Sequence, residues 1–159
     1  MPNPTKNRER QADDLPLSGL EVVEVAQGVA GPFCGRLLAA LGANVIKVER
    51  PPKGDWSRKI APFLSDDNHP ESSALYLYNN TGKKSVLIDW ETESGIDTLT
   101  SLVSKADVLI EDWDVNYRES AGLSTEKFNS ENPGLVEICV TPFGLSGPYA
   151  RWKSTPIVQ

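Results

Sequence analysis

Residues 20–50 read LEVVEVAQGVAGPFCGRLLAALGANVIKVER. Val22, Val23 and Val25 are β-branched and favour a pleated strand. Gly28 and Gly31 permit backbone angles that a Cβ would forbid, so a tight turn follows the strand. Pro32 suits a first helical position, where a missing N–H costs nothing. Leu37, Leu38 and Leu41 give the next segment an apolar helical face, and Gly42 fits the left-handed residue after its end. Val45, Ile46 and Val48 form a second strand. A short helix joining two such strands predicts a right-handed βαβ unit, the opening of a nucleotide-binding α/β sheet.

The turn of such a unit aims a helix N-terminus, with unpaired N–H groups and partial positive charge, at whatever lies above the sheet. Phosphates bind there. Glu49 follows Gly28 at about the 20-residue spacing of a ribose-binding acid in dinucleotide enzymes. The glycines, however, run Gly28-x-x-Gly31-x-x-x-Gly35, which is not G-x-G-x-x-G. An NAD-linked oxidoreductase therefore has only the βαβ unit in its favour. The plain structural alternative is that Gly28 and Gly31 make a turn while Gly35 lets helix and sheet pack closely.

Working outward, the chain of 159 residues suits one domain with a sizeable core. The net charge of −6 argues against nucleic acid as a main partner. No run of about 18 apolar residues occurs, so no membrane-spanning helix is expected. Residues 1–14, MPNPTKNRERQADD, carry charge without an apolar stretch. They read as a disordered tail rather than a secretory signal, and the expected compartment is the cytoplasm. Cys34 and Cys139 fall in an expected helix and an expected strand, which favours buried thiols over a disulfide or zinc site. His69, the only histidine, lies in the loop DDNHPESS and reads as a surface residue rather than a triad base. No metal site is expected.

Further along, Pro51-Pro52-Lys53-Gly54-Asp55 is a loop by composition, and residues 56–73 look irregular, as a functional loop or lid would. Ser85–Asp89 reads as a strand. Thr92 or Ser94 can cap a helix bearing Ile96, Leu99, Leu102 and Val103 on one face. Val108–Glu111 and Leu135–Val140 read as strands, with a brief helix from Ser124 through Phe128 between them. Alternation of strands and helices predicts an α/β fold: a Rossmann-like, mostly parallel sheet with helices on both faces. The final residues, with apolar Ile157 and Val158, read as an element just beginning, so the chain is expected to be truncated.

Several blocks, in order, resemble the family III CoA-transferases, the group of formyl-CoA transferase, carnitine CoA-transferase and α-methylacyl-CoA racemase. They are Pro16-Leu17-Ser18-Gly19; Ala30-Gly31-Pro32; Leu41 to Arg50; Gly54-Asp55 with Arg58; Asn79-Asn80 with Lys83 to Val86 and Asp89; Ala106 to Glu111; Asn132-Pro133; and Phe143-Gly144 with Gly147-Pro148-Tyr149. The resemblance implies a CoA-binding large domain over residues 15–159, the N-terminal part of a larger design in which two subunits interlock as a homodimer or heterodimer. It implies coenzyme A or acyl-CoA as substrate and a small carboxylic acid as acceptor. The CoA-contacting positions it implies are Gly28, Val29, Ala30, Arg50, Arg58, Lys83, Lys84 and Ile88. The turn at Gly28, Val29 and Ala30 would lie along the carrier, and Arg50 near its adenine and phosphate end. For Lys83 and Lys84 a solvated turn is an equal alternative.

In that family an aspartate attacks the acyl-CoA thioester. Shortly after the Gly-Pro-Tyr turn, its position in this sequence falls on Pro156 or Thr155, neither a carboxylate. Three readings stay open: a transferase chain whose carboxylate lies elsewhere, a non-catalytic CoA-binding partner subunit, and an acyl-CoA racemase. Where relatives place Asn and Lys near CoA, this chain carries Asp112 and Glu91, which add negative charge beside a polyanion.

Overall fold

The computed structural model describes residues 15–64 and 69–155. The expected tail, residues 1–14, lies outside them, as does Pro156. Strand β1 (Glu21–Glu24) runs through the turn 25–29 into α1 (Ala30–Ala40) and then β2 (Asn44–Glu49). After a long connection come α2 (Ala74–Asn80), β3 (Lys84–Leu87), α3 (Glu93–Val103), β4 (Val108–Glu111), α4 (Val115–Ser120), α5 (Thr125–Glu131) and β5 (Val136–Cys139). The strands form a five-stranded, all-parallel sheet in the order β3-β2-β1-β4-β5. This is the doubly wound order, which reverses direction between β1 and β4.

Side chains alternate across the sheet and divide the core in two. Val22, Ala26, Val45, Val108 and Ile110 face one side, where Cys34, Leu38 and Ala39 of α1 cover them. Val23, Val25, Val48 and Leu109 face the other, against Leu99 and Val103 of α3 and Phe128 of α5. Trp113 stacks on Phe128 at 6.4 Å and meets Trp90 edge-on at 6.3 Å. No helix among the described residues is long and apolar enough to cross a membrane.

Two glycines set how closely α1 approaches the sheet. A Cβ on Gly31 would lie 2.2 Å from the Ala26 Cβ, and one on Gly35 would lie 1.8 Å from Oε2 of the buried Glu24. Gly35→Ala must therefore lift the helix or displace a fixed carboxylate. Overpacking of this kind costs about 1–3 kcal/mol, against about 1 kcal/mol gained in helix propensity. The expected result is a net loss of up to about 2 kcal/mol in denaturant unfolding, where an exposed-site Gly→Ala would stabilise the helix.

Several expectations need correction. The strand expected at Ser85–Asp89 is Lys84–Leu87, because pairing with Ile46 to Glu49 sets its register. Pro32 is the third residue of α1, still within the turn whose N–H groups lack helical partners. The stretch 56–73 contains a 3-10 turn at Trp56–Lys59, capped by Asp55, and ends on Ser73, the N-cap of α2. Thr92 and Ser124 cap α3 and α5 as expected.

Candidate functional site

The strand order reverses between β1 and β4, and open α/β sheets bind ligands outside the carboxyl ends of the strands at such a point. Just beyond the two strands the backbone N–H of Gln27 donates to Oδ2 of Asp112 at 2.8 Å. Gly28, at φ +77°, then turns the chain into α1. Val29 precedes the helix with no side chain capping its first turn. The N–H groups of Ala30 and Gly31 are thus left as donors at the positive end of the helix.

A lattice of buried charges holds this turn from below. Glu24 and Lys47 are opposite partners in the β1–β2 register, and both are buried. Lys47 Nζ donates to Glu24 Oε1 at 3.1 Å and to the Ala26 carbonyl at 2.7 Å, and pairs with Asp55 Oδ2 at 2.8 Å. Asp55 accepts from the Gly28 N–H at 3.0 Å and from the N–H and Oγ of Ser57 at 2.8 and 2.7 Å. Asn79 Nδ2 donates to the Gly28 carbonyl at 3.2 Å. Burial pushes the Asp55 carboxyl up, but Lys47 and the Ser57 donors outweigh it and hold it below the usual range.

A second buried carboxylate, Glu49, fixes the loop that follows β2. It accepts from the Asp55 N–H at 2.8 Å, Arg58 Nε at 2.7 Å, Arg58 Nη2 at 2.8 Å, the Tyr76 hydroxyl at 2.8 Å and Ser85 Oγ at 2.7 Å. Burial alone would raise its pKa; Arg58 and the other donors bring it down to about 2.

Above this scaffold the surface opens as a cleft of about 410 Å³, walled by Arg50, Lys53, Trp56, Lys59, Asp89 and Glu91 among others. A neighbouring cleft of about 310 Å³ shares Gln27, Arg50 and Trp56 and extends to Asp112 and Trp113. Asp112 makes no direct ion pair with a described residue. Burial raises its carboxyl, the Gln27 N–H and the nearby Lys47 charge offset part of this, and it is pushed up to about 6.

The structure brings some of the expected CoA-contacting residues together and separates others. Gly28, Val29 and Ala30 form the turn and helix start, with Gly28 buried and the other two exposed. Arg50 lies in the cleft and pairs with Glu91. Arg58 and Lys83 instead point inward. Arg58 is engaged by Glu49, and the Lys83 ammonium contacts Glu24 Oε2 at 2.7 Å and the Pro32 carbonyl at 2.7 Å. Burial lowers Lys83 to about 8 despite Glu24. Neither alternative weighed for Lys83, ligand cation or solvated turn, matches that buried position. Lys84 is exposed at the start of β3, at the opposite end of the sheet from the cleft, and donates to Asn44 Oδ1 at 2.8 Å. Ile88 is buried in the core on the α3 side. Thr155 is exposed.

Sequence reasoning passed over Trp56, Lys53 and Lys59, which line the cleft, and the Glu24–Lys47–Asp55 set beneath it. The signal for Glu24 and Lys47 is present in the sequence: VVEV at 22–25 and VIKV at 45–48 each place one charge, of opposite sign, among apolar residues. Elsewhere, Glu111, Glu137 and Cys139 converge closely enough to suggest a metal site. Arg118 already contacts all three, reaching Glu111 Oε1 at 3.1 Å, Cys139 Sγ at 3.2 Å, and Glu137. Burial and Glu111 push the Cys139 thiol up to about 12, so it is no thiolate ligand near neutral pH.

Comparison with known proteins matches residues 17–158 to a family described as CoA-transferase family III. The chain is 42% identical over 137 residues to a succinate–glutarate CoA-transferase of Agrobacterium fabrum, covering 85% of this chain and 34% of that protein. It is 37% identical over 140 residues to the succinyl-CoA:(R)-benzylsuccinate CoA-transferase subunit BbsE of Thauera aromatica, covering 88% and 34%. Among solved structures, a CAIB/BAIF family protein from Brucella suis superposes with a TM-score of 0.81 at 40% identity, covering 91% of this chain and 38% of that one. The chain thus spans about a third of the length of these curated relatives. With its doubly wound parallel sheet and its match over residues 17–158, the chain belongs to CoA-transferase family III.

Proposed function

We propose that this chain supplies the CoA-binding face of a transferase that moves CoA from an acyl-CoA thioester to a small carboxylic acid. The observation that carries the reading is the uncapped N-terminus of α1, held at the β1–β4 reversal beside a cleft bearing Arg50, Lys53 and Lys59. Backbone donors and cations in one place suit the phosphates of a CoA thioester. Cytoplasmic location, and pairing with a second copy or another family member, belong to the same proposal.

In the reaction, an enzyme carboxylate oxygen attacks the thioester carbonyl, forming an acyl–enzyme anhydride and releasing the CoA thiolate. The thiolate attacks the enzyme's own carbonyl in that anhydride, which expels the donor acid as its carboxylate and leaves an enzyme–CoA thioester. The acceptor carboxylate attacks that thioester, freeing CoA thiolate. The thiolate then takes the new acyl group from the second anhydride and restores the enzyme carboxylate. Of the positions implied for that carboxylate, Thr155 has none, and Pro156 lies outside the described residues. The reacting carboxylate is therefore assigned to polypeptide that completes the family fold, in continuation or in a partner subunit. The chain's own part is to bind and orient the thiol carrier.

A second reading, a non-catalytic CoA-binding partner, is favoured by Thr155 and Pro156, neither a carboxylate, at the positions implied for the nucleophile. Calorimetric titration of the 159-residue chain with CoA tests the property common to both. Saturable binding in the sub-millimolar range is expected, and no heat at millimolar CoA would overturn both. Hydroxylamine trapping then tests where the nucleophile lies. A hydroxamate on this chain after exposure to acyl-CoA overturns the assignment of the carboxylate to other polypeptide, whereas adducts confined to an added full-length relative support it.

A further inference from the structure

We propose that the indole of Trp56 is the stacking wall for the adenine ring of CoA, with the sugar phosphates lying toward Arg50, Lys53 and Lys59. The inference rests on the CoA reading above and adds where the base goes and which side chain holds it. Trp56 is 51% exposed although its chain neighbours Asp55 and Ser57 are fully buried. Asp55 caps the 3-10 turn by accepting from the Ser57 N–H, and Ser73 Oγ donates to the Ser57 carbonyl at 2.7 Å. The backbone on either side is thereby fixed, and the indole is held out as a rigid element.

Its seat is made by Gly28. A Cβ there would lie 2.0 Å from Cζ2 of the indole, so only glycine lets the ring rest on the turn. From that seat Trp56 forms a wall of both clefts. The larger cleft falls in the size range of small-molecule sites. Among the described residues Lys53 and Lys59 form no ion pair, and the Arg50 side chain pairs only with the exposed Glu91. An aromatic face flanked by cations matches a base joined to phosphates. Stacking supplies the apolar contact and the cations meet the charge. Adenine is the only aromatic group of CoA. An apolar protein partner on the same face would strip water from Arg50, Lys53 and Lys59 without offering them anions, which is costly.

The test is titration of the chain with CoA, with adenosine 3′,5′-bisphosphate and with pantetheine, using wild type, Trp56→Ala and Trp56→Phe. Removing a stacking aromatic should weaken CoA and the bisphosphate by about 10- to 100-fold, leave pantetheine unchanged, and be largely reversed in the Phe variant. The bisphosphate should also quench indole fluorescence in wild type and not in Trp56→Phe. If Trp56→Ala, shown folded by circular dichroism, binds CoA within about twofold of wild type, the stacking assignment is overturned and the CoA reading stands. If wild type binds neither CoA nor the bisphosphate, the functional reading itself fails. Equal weakening of pantetheine would also overturn the assignment, since it would mean that Trp56 supports the whole cleft rather than the base.

Discussion

Asp55→Ala is expected to destabilise the fold by about 3–5 kcal/mol, the range for removing one partner of a buried ion pair. Asp55 is fully buried and answers several donors at once: Lys47, the Gly28 N–H, and the N–H and hydroxyl of Ser57. Without it, Lys47 keeps only Glu24 and the Ala26 carbonyl, and Glu24 is already shared with Lys83. A buried ammonium is left under-compensated, and the N–H groups that shape the β1–α1 turn and the Trp56 turn lose their acceptor. These costs can be separated. Asp55→Asn keeps an acceptor oxygen while losing the charge, so it should fall between wild type and Ala. Lys47→Met placed in the Asp55→Ala background removes the stranded charge and should recover part of the loss, because replacing both members of a buried pair by apolar groups is often neutral. Urea midpoints for the single and double variants complete the cycle. An Asp55→Ala loss below about 1 kcal/mol would mean that water or relaxation satisfies these groups, against the burial seen here.

The opening β1–α1–β2 unit is legible in the sequence because its signals are local. Valines alternate, leucines recur at helical spacing, and the glycines fall where close approach requires them. The same locality explains the caps at Thr92 and Ser124. Helix α2 escapes because seven residues cannot display a 3.6-residue period. Its helical state depends on the Ser73 cap and on distant anchors, Tyr76 to Glu49 and Asn79 to the Gly28 carbonyl. Within the site, Arg50 is readable as the residue that leaves a strand's carboxyl end. Arg58 and Lys83 show their charge in the sequence but not their partners. Those partners, Glu49 and Glu24, lie on other segments and are brought alongside only by sheet register and by the fold of the 50–59 loop. Trp56 could not be placed either: an aromatic in a loop reads equally as core or surface until the Gly28 turn is seen beneath it.

Stability should pass through a maximum in mildly acidic solution, and two carboxylates of opposite behaviour predict it. The Glu49 carboxyl is lowered from the usual 4.5 to about 2 in the folded protein. Its contribution is therefore complete above pH 4.5 and is lost as pH falls toward 2. The size is about 3 kcal/mol, since each pH unit of displacement corresponds to about 1.4 kcal/mol. Asp112 is raised from 3.8 to about 6. Between those values the folded state binds the extra proton, so stability rises as pH is lowered from 7 and levels off near 4. The sum is a rise from neutrality followed by a steep acid loss. Urea unfolding at intervals from pH 2 to 7 would trace it. Glu49→Gln should be less stable at pH 7 and should flatten the acid limb, because the amide cannot titrate and accepts less well from Arg58. Asp112→Asn should flatten the neutral limb and bring the pH 7 value up toward the maximum. The same variant should bind CoA more tightly at pH 7, since it removes a negative charge at the β1–β4 reversal where the phosphates are proposed to lie. A wild-type curve that falls steadily from pH 7 downward would mean that Asp112 is solvated and ionises like an ordinary surface carboxylate. A curve flat to pH 2 would mean that Arg58 and Tyr76 do not hold Glu49 in solution as they do in the fold.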